Sequence, residues 1–302
     1  MTRSTKWFLA ILALLAFVSF AFIFLFVILI SSLGERTEVV TSGSGEKIAV
    51  VELGGVITSS EDIIRQIKKY REDRSIKGIL LRIESPGGGV VASQEIYHEV
   101  RKTREGGKPV VVSMGSIAAS GGYYVACGAS LLVANQGTLT GSIGVVSEFL
   151  QLYEALNKIG VDVKTIKSGK LKDAGSTTRS MTADDQRYFQ GLLDDVHQQF
   201  MNVVEIERKL TREQVVSISD GRVFTGEQAV LLGLIDTLGT FEDAVAIAGE
   251  IAGISGEPSL VRERRKRSFW DSVFGDVTES LTGLKQAILE KPVLSYRFVG
   301  PM

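Results

Sequence analysis

The hydrophobic and polar positions of this chain fall into two regimes. The first is one unbroken run: Trp7 to Ile30 is 24 residues with no charge and a single polar side chain, Ser19. About 20 apolar residues are enough to span a bilayer as a helix. Beyond residue 46 the apolar residues come instead in short blocks between amphipathic stretches. Lys47–Leu53, Gly78–Ile83, Val110–Val112 and Leu131–Ala134 read as buried strands. Helices are predicted from a Ser59 or Ser60 cap to about Asp73, and over the stretch carrying Val91, Ile96 and Val100. Further on, the pattern predicts a helix over Leu150–Ile159 stopped at Gly160, then a strand over Val161–Ile166. A long helix capped by Thr182 runs from Ala183 to Lys209, a shorter one follows Thr211, and a last one covers Phe241–Ala252. Such strand–helix alternation argues an α/β fold with a largely parallel, helix-covered sheet.

Charge around the first run gives it a direction. Arg3 and Lys6 precede it, while Glu35, Arg36 and Glu38 follow, so the N-terminus is expected in the cytoplasm and the rest outside it. The run is longer than a signal-peptide core, and Ile28-Leu29-Ile30-Ser31-Ser32-Leu33 is a poor cleavage site, which favours an uncleaved transmembrane anchor in the cell (inner) membrane. The expected division is 1–34 stub and anchor, 35–46 linker, 47–253 main domain and 254–302 basic and amphipathic extension. Within the extension, Arg262–Arg267 reads as a solvated, flexible segment, with attraction to anionic membrane lipid as the alternative, and Phe269–Leu289 is amphipathic. Pro292–Phe298 is apolar and strand-like; it is either a disordered end or a peptide that adds to the edge of a substrate groove. Hydrophobic residues make up 44% of the chain, the excess lying in the first run. A formal net charge of −1 excludes the basic bias of a nucleic-acid binder. Cys127, the single cysteine, has no disulfide partner in the chain and reads as a small core residue.

Candidate chemistry centres on Ser113-Met114-Gly115-Ser116-Ile117-Ala118-Ala119-Ser120-Gly121-Gly122-Tyr123-Tyr124. Small residues from Ala118 to Gly122 let another backbone approach closely, and a serine at a strand-to-helix turn sits near unpaired N–H groups. That suits an acyl-transfer nucleophile; it also suits a tight packing seam. Pro86-Gly87-Gly88-Gly89 is a sharp turn whose N–H groups can converge on one point. Neither Gly-Lys-Ser/Thr nor Gly-x-Gly-x-x-Gly is present to make it a phosphate loop, which leaves an oxyanion hole shared with the Gly121 N–H, or a structural turn. The two histidines, His98 and His197, fall inside predicted helices among polar neighbours, a surface placement that argues against a serine–histidine–aspartate triad. Lysine serves as the base where desolvation or neighbouring positive charge lowers its pKa from about 10.4. Lys164, Lys167, Lys170 and Lys172 are candidates, and composition does not choose among them.

Taken together, five blocks resemble the short bacterial form of the signal peptide peptidase A family of serine–lysine proteases. They are Glu84–Gly89, Gly115–Tyr124, Thr140–Val145, Lys167–Asp173 and Asp220–Gly226, in that order. The resemblance covers residues 47–250 and the anchor. It implies a crotonase-like α/β fold, shared with the caseinolytic protease, carrying an N-terminal transmembrane helix. By position it implies Ser120 as nucleophile, Lys172 as general base, Ser142 orienting the lysine, and Gly88 and Gly121 as oxyanion donors. It implies no metal or cofactor, and self-association into a ring, an octamer, in which neighbouring subunits supply the serine and the lysine of one site. The expected substrates are cleaved signal peptides and other hydrophobic peptides at the membrane. Two rivals keep the fold with another function: an inactive membrane scaffold, and a crotonase-type acyl-CoA enzyme, which an exported domain argues against.

Overall fold

The structure, a computed structural model, describes residues 3–32, 36–42, 45–265 and 294–298, with side-chain detail in the first helix limited to residues 5, 7, 11, 12 and 14–26. The chain divides into two units, 1–39 with 263–291 and 40–262 with 292–302. The first unit carries helix α1 (Arg3–Ser32), 30 residues long, whose described apolar side chains such as Leu14, Phe17 and Phe22 are exposed. Over the residues described, no helix is long and apolar enough to cross a membrane. The segment read as a linker holds strand β1 (Arg36–Ser42).

The second unit begins with β2 (Lys47–Gly54), α2 (Glu61–Glu72), β3 (Ile76–Ser85), β4 (Gly87–Gly89) and α3 (Val90–Glu105). It continues with β5 (Val110–Ala119), α4 (Gly121–Ala126), β6 (Leu131–Ala134), β7 (Leu139–Gly141) and α5 (Tyr153–Lys158). The remaining elements are α6 (Ala183–Arg208), α7 (Arg212–Ile218), β8 (Val223–Thr225), α8 (Gly226–Leu231), β9 (Thr237–Leu238), α9 (Phe241–Ile251), β10 (Ser259–Arg265) and β11 (Ser295–Arg297). From β10 inward the main sheet runs β10-β2-β3-β5-β6-β9, with every one of these pairings parallel.

Alternation along the central strands explains why both faces are covered. Side chains of successive strand residues point to opposite faces. Ala49, Val51, Leu53, Ile79, Leu81, Ile83, Val110, Val112 and Met114 accordingly join one core with Ile67 of α2, Ile96 of α3 and Phe200 of α6. Ile48, Val50, Leu80, Val111 and Val133 join the other, against Ala244, Val245 and Ala248 of α9. Strands buried on both faces read as continuous apolar runs, which is how they stand in the sequence.

Four expectations change. The third strand does not stop at Val112 but carries on through the small residues to Ala119, because Glu84 accepts hydrogen bonds from the Ser116 and Ile117 N–H groups (2.9 and 3.1 Å) and Thr140 Oγ1 donates to the Ala118 carbonyl (2.7 Å). Val161–Ile166 is irregular and exposed, Ile166 almost completely so; among the described residues no strand pairs with it, so its alternation stays unpaired. The helix expected over Leu150–Ile159 shortens to α5. Ser259–Arg262, assigned to the basic and amphipathic extension and with Arg262 expected to open its flexible run, lies in β10 in register with Lys47–Val50, and Arg262 pairs with Glu52 (2.8 Å) and packs on the Phe241 ring. The amphipathic stretch Phe269–Leu289 lies outside the described residues.

Candidate active site

The strand β5 ends in a turn that few side chains tolerate. Ser120 has φ 53° and ψ −114°, held by its N–H donating to the Gly141 carbonyl (2.8 Å) on one side and its carbonyl accepting from Tyr124 N–H (2.8 Å) on the other. A non-glycine residue in such a region costs about 1–3 kcal/mol, so the surrounding packing must impose it. The outcome is a serine at the mouth of α4, buried, with an Oγ that has no hydrogen-bond partner among the described residues.

The glycine turn lies beside it. Ser85 Oγ donates to the Gly55 carbonyl and accepts from Gly87 N–H, and Gly87 adopts φ 98°, which turns the chain over the serine. A Cβ on Gly121 would lie 3.1 Å from the Gly88 nitrogen, so these two backbones pass side by side. On the other side, the Ile57 N–H donates to the Gly87 carbonyl and the Ile57 carbonyl accepts from Gly89 N–H. That leaves the N–H and C=O of Gly88 pointing away from Ile57, toward the groove.

A strand occupies the groove, and it comes from the chain's own C-terminal segment. β11 pairs antiparallel with β4, Tyr296 opposite Gly88, and the Phe298 N–H donates to the Pro86 carbonyl (2.9 Å). Hydrogen-bonded pairs recur every second residue in an antiparallel ladder, so the Tyr296 carbonyl meets the Gly88 N–H. One residue earlier, Ser295 exchanges both backbone hydrogen bonds with Val146 (3.0 and 3.1 Å). The strand is thus held from both edges. The ring of Tyr296 is fully buried, stacked on Tyr124 (5.1 Å between centroids) and tilted against Phe200 (4.8 Å), with its hydroxyl donating to the Val196 carbonyl (3.1 Å). Tyr97 closes the box edge-on to Tyr124. The strand-adding character read in Pro292–Phe298 is therefore realised over Ser295–Arg297; the aromatic box itself is not visible in sequence, because Tyr97, Tyr124 and Phe200 come from three helices.

Ser142 follows β7, at φ 51°; its Oγ donates to the Gly221 carbonyl (3.1 Å). It lines a cavity of about 470 Å³ together with Asp194, His197, Asp220, Arg297 and Phe298. His197 departs from its expected surface placement: it is half-buried, and its Nε2 is enclosed without a hydrogen-bond partner among the described residues. His98 is exposed as expected.

Lys172 is not brought to Ser120. It sits in a turn, exposed, its N–H donating to the Gly169 carbonyl. The residue after it is clamped. Asp173 accepts from Arg179 Nε and Nη2 (3.0 and 2.9 Å) and pairs with Lys167, and Arg179 also pairs with Asp185, which closes the capping box of α6 with Thr182. Arg179, and then Lys167, hold the Asp173 carboxyl well below the usual range; Arg179 and the Thr182 N–H do the same for Asp185. Asp173 stands inside a block quoted from the sequence, but its partner six residues on carries no local signature. Cys127 is buried in the core, and desolvation pushes its thiol up to about 12. Among the described residues no group of three or more His, Cys, Asp and Glu could hold a metal ion.

Comparison with known proteins agrees with this geometry. A profile described as Peptidase family S49 matches residues 102–255, and one described as Clp protease matches residues 46–133. A provisionally named protease of Synechocystis sp. is 45% identical over 69% of this chain and 76% of its own length. Protease 4 of Salmonella typhi is 37% identical over 83% of this chain, which spans 43% of that longer protein. A protein of Enterococcus faecium, provisionally named signal peptide peptidase SppA, is 31% identical over 85% of this chain and 78% of its own. The chain belongs to peptidase family S49 and is a serine peptidase.

Proposed function

We propose that the protein is a membrane-anchored endopeptidase working with a serine–lysine dyad, cutting hydrophobic peptides in extended form, cleaved signal peptides among them. The observation that carries this reading is the strand seat. A peptide lies between Gly87–Gly89 and Val146 with a backbone carbonyl aimed at the Gly88 N–H, beside Gly121, next to an unpartnered serine hydroxyl.

In this reading Ser120 Oγ attacks the carbonyl carbon of the bound peptide, and the Gly88 and Gly121 N–H groups hold the oxyanion. One such donor contributes about 3–4 kcal/mol. A neutral Lys172 takes the serine proton, Ser142 orients its amine, and the resulting ammonium then protonates the departing amine. Water hydrolyses the acyl-enzyme. Because Lys172 is far enough away to leave Ser120 Oγ without a partner, the lysine is supplied by a second copy. Supporting this, the segment around it exposes Leu150, Ile159, Val161, Val163, Ile166 and Leu171, an apolar edge that another subunit of a ring would cover. The anchor reading is supported by the uncharged run Trp7–Ile30, and Arg3 and Lys6 ahead of that run support an N-terminus in the cytoplasm with the catalytic unit outside.

The test is hydrolysis of a fluorogenic hydrophobic peptide by the full chain in detergent, beside Ser120→Ala and Lys172→Ala. Loss of activity in both variants with unchanged assembly size supports the dyad. A correctly assembled wild type that neither cleaves varied peptides nor reacts with a fluorophosphonate would favour the inactive-scaffold reading instead.

A further inference from the structure

Strand β5 carries a break in its register just ahead of the serine. Ile83 of β3 pairs with Met114 and Ser85 with Ala118, so one residue, Glu84, stands opposite three, Gly115, Ser116 and Ile117. Before the break β5 pairs with β6 through Val111, Val112 and Ser113; beyond it β5 pairs with β7 through Ile117, Ala118 and Ala119. The two surplus residues form a bulge where the strand changes partner. Side chains bind its backbone groups. Glu84 Oε2 accepts from the Ser116 N–H (2.9 Å) and Oε1 from the Ile117 N–H (3.1 Å), while Thr138 Oγ1 donates to the Gly115 carbonyl (2.7 Å). Gly115 leaves room for the carboxylate: a Cβ there would lie 1.7 Å from Glu84 Oε2. Hydrophobic patterning does not hold this register by itself. Side chains alternate with period two, so a slip by two residues returns every side chain of β5 to the face it came from. Such a slip irons out the bulge and carries Ser120 about 7 Å along the strand, at about 3.3 Å per residue, away from the Gly88 N–H.

We propose that Glu84 is a positioning residue for the peptidase reaction: its carboxylate staples the bulge and so fixes how far β5 runs before Ser120 turns out beside Gly88. The proposal rests on the peptidase reading above. Glu84 acts through the strand rather than on the reacting atoms, so its loss falls on the placement of the nucleophile. The glycine turn keeps its own supports, since Gly87 N–H donates to Ser85 Oγ and the Gly87 carbonyl and Gly89 N–H are bound by Ile57. Removing the staple therefore slows the chemical step and leaves peptide binding in place.

The experiment is peptide kinetics and fluorophosphonate labelling of the full chain in detergent. It compares wild type with Glu84→Ala, Glu84→Gln, Gly115→Ala and the Glu84→Ala/Gly115→Ala double variant, each checked for assembly size. Glu84→Ala is expected to lose about 10²-fold in kcat, the cost of displacing a reacting group by about 1 Å, and to label more slowly, with KM little changed. Glu84→Gln keeps one acceptor oxygen and is expected to fall between. Gly115→Ala, whose methyl displaces the carboxylate from the bulge, is expected to match Glu84→Ala. The double variant separates the staple from a general loss of packing. Once the Glu84 side chain is gone the Gly115 methyl has room, so the double variant should be no slower than Glu84→Ala alone. Losses that multiply, or a Glu84→Ala chain with wild-type kcat and labelling, overturn the staple and leave the peptidase reading standing. Glu84→Gln decides alone if Glu84→Ala does not assemble: a lowered kcat at constant KM supports the staple, and wild-type kinetics or a raised KM at constant kcat overturns it. A wild type inert toward peptide and probe overturns both.

Discussion

Ser120 and Ser142 leave neighbouring strands from register-paired positions, Ala119 and Gly141, and both turn into the positive-φ region, at 53° and 51°. The Gly141 carbonyl accepts from Ser120 N–H, so the turn that exposes one serine is fixed by the strand that delivers the other. Two serines far apart in sequence are set beside one groove by backbone pairing, before any side-chain contact is made.

The oxyanion donors can be tested one at a time. A Cβ at Gly121 would fall 2.5 Å from Ser93 Oγ, a hydroxyl that can rotate away, and 3.1 Å from the Gly88 nitrogen. Gly121→Ala keeps its N–H but sets a methyl against the Gly88 nitrogen, where the oxyanion would sit, so it is expected to fold and to lose up to about 10²–10³-fold in kcat, the scale of one donor put out of reach. At Gly88 the same Cβ meets the Ile57 backbone at 2.1 Å, so Gly88→Ala is expected to lower the melting temperature as well. Calorimetry beside peptide kinetics distinguishes the two; equal melting temperatures would argue against this arrangement.

Arg179 is expected to act as a positioning residue. Its guanidinium joins Asp173, next to the lysine, to Asp185 at the start of α6. Misplacement of a reacting group by about 1 Å can cost about 10²-fold. Arg179→Ala should therefore lower kcat by about that factor with KM little changed, because the strand seat is untouched, and Arg179→Lys should restore only part of it. A rise in KM with kcat intact would place its role elsewhere.

The same clamp sets an acid limit. Asp173 and Asp185 have lowered folded values, so the stability they contribute is fully present above the unfolded value of about 3.9 and is lost as pH falls through the lowered ones. Hydrogen exchange over residues 169–182 should hold steady between about pH 5 and 8 once corrected for intrinsic rates, and protection should fail only in stronger acid. Loss of protection already near pH 6 would contradict this.

The aromatic box should govern both stability and selectivity. Phe200 is fully buried, so Phe200→Ala is expected to cost about 3–5 kcal/mol in denaturant unfolding. The milder Phe200→Leu should keep the fold and narrow the preference for tyrosine over leucine before the cut bond. An unchanged preference would mean that the box does not read substrates.

Cys127 offers a control on the core. With its thiol pushed up to about 12 by burial, it should resist a thiol reagent at pH 8 in the native protein and react once denaturant exposes it. Rapid native labelling would show that α4, and with it the Ser120 turn, opens readily.

Local information carried far in this chain. Apolar runs marked β2, β3 and β6, the threonine caps at 182 and 211 marked α6 and α7, and the motif order named the family. Each depends on residues within one element or one turn, where propensity and hydrogen bonding to near neighbours dominate. What tertiary structure decided depends on partners distant in sequence. Ser259–Arg262 becomes a strand because β2 offers it an edge, and Val161–Ile166 does not become one because none of the described strands offers it an edge. The aromatic box exists because three helices converge, and Tyr296 fills it because the groove leaves one row of backbone groups unpaired. Pairing and burial are properties of whole surfaces brought together, so no window of sequence contains them.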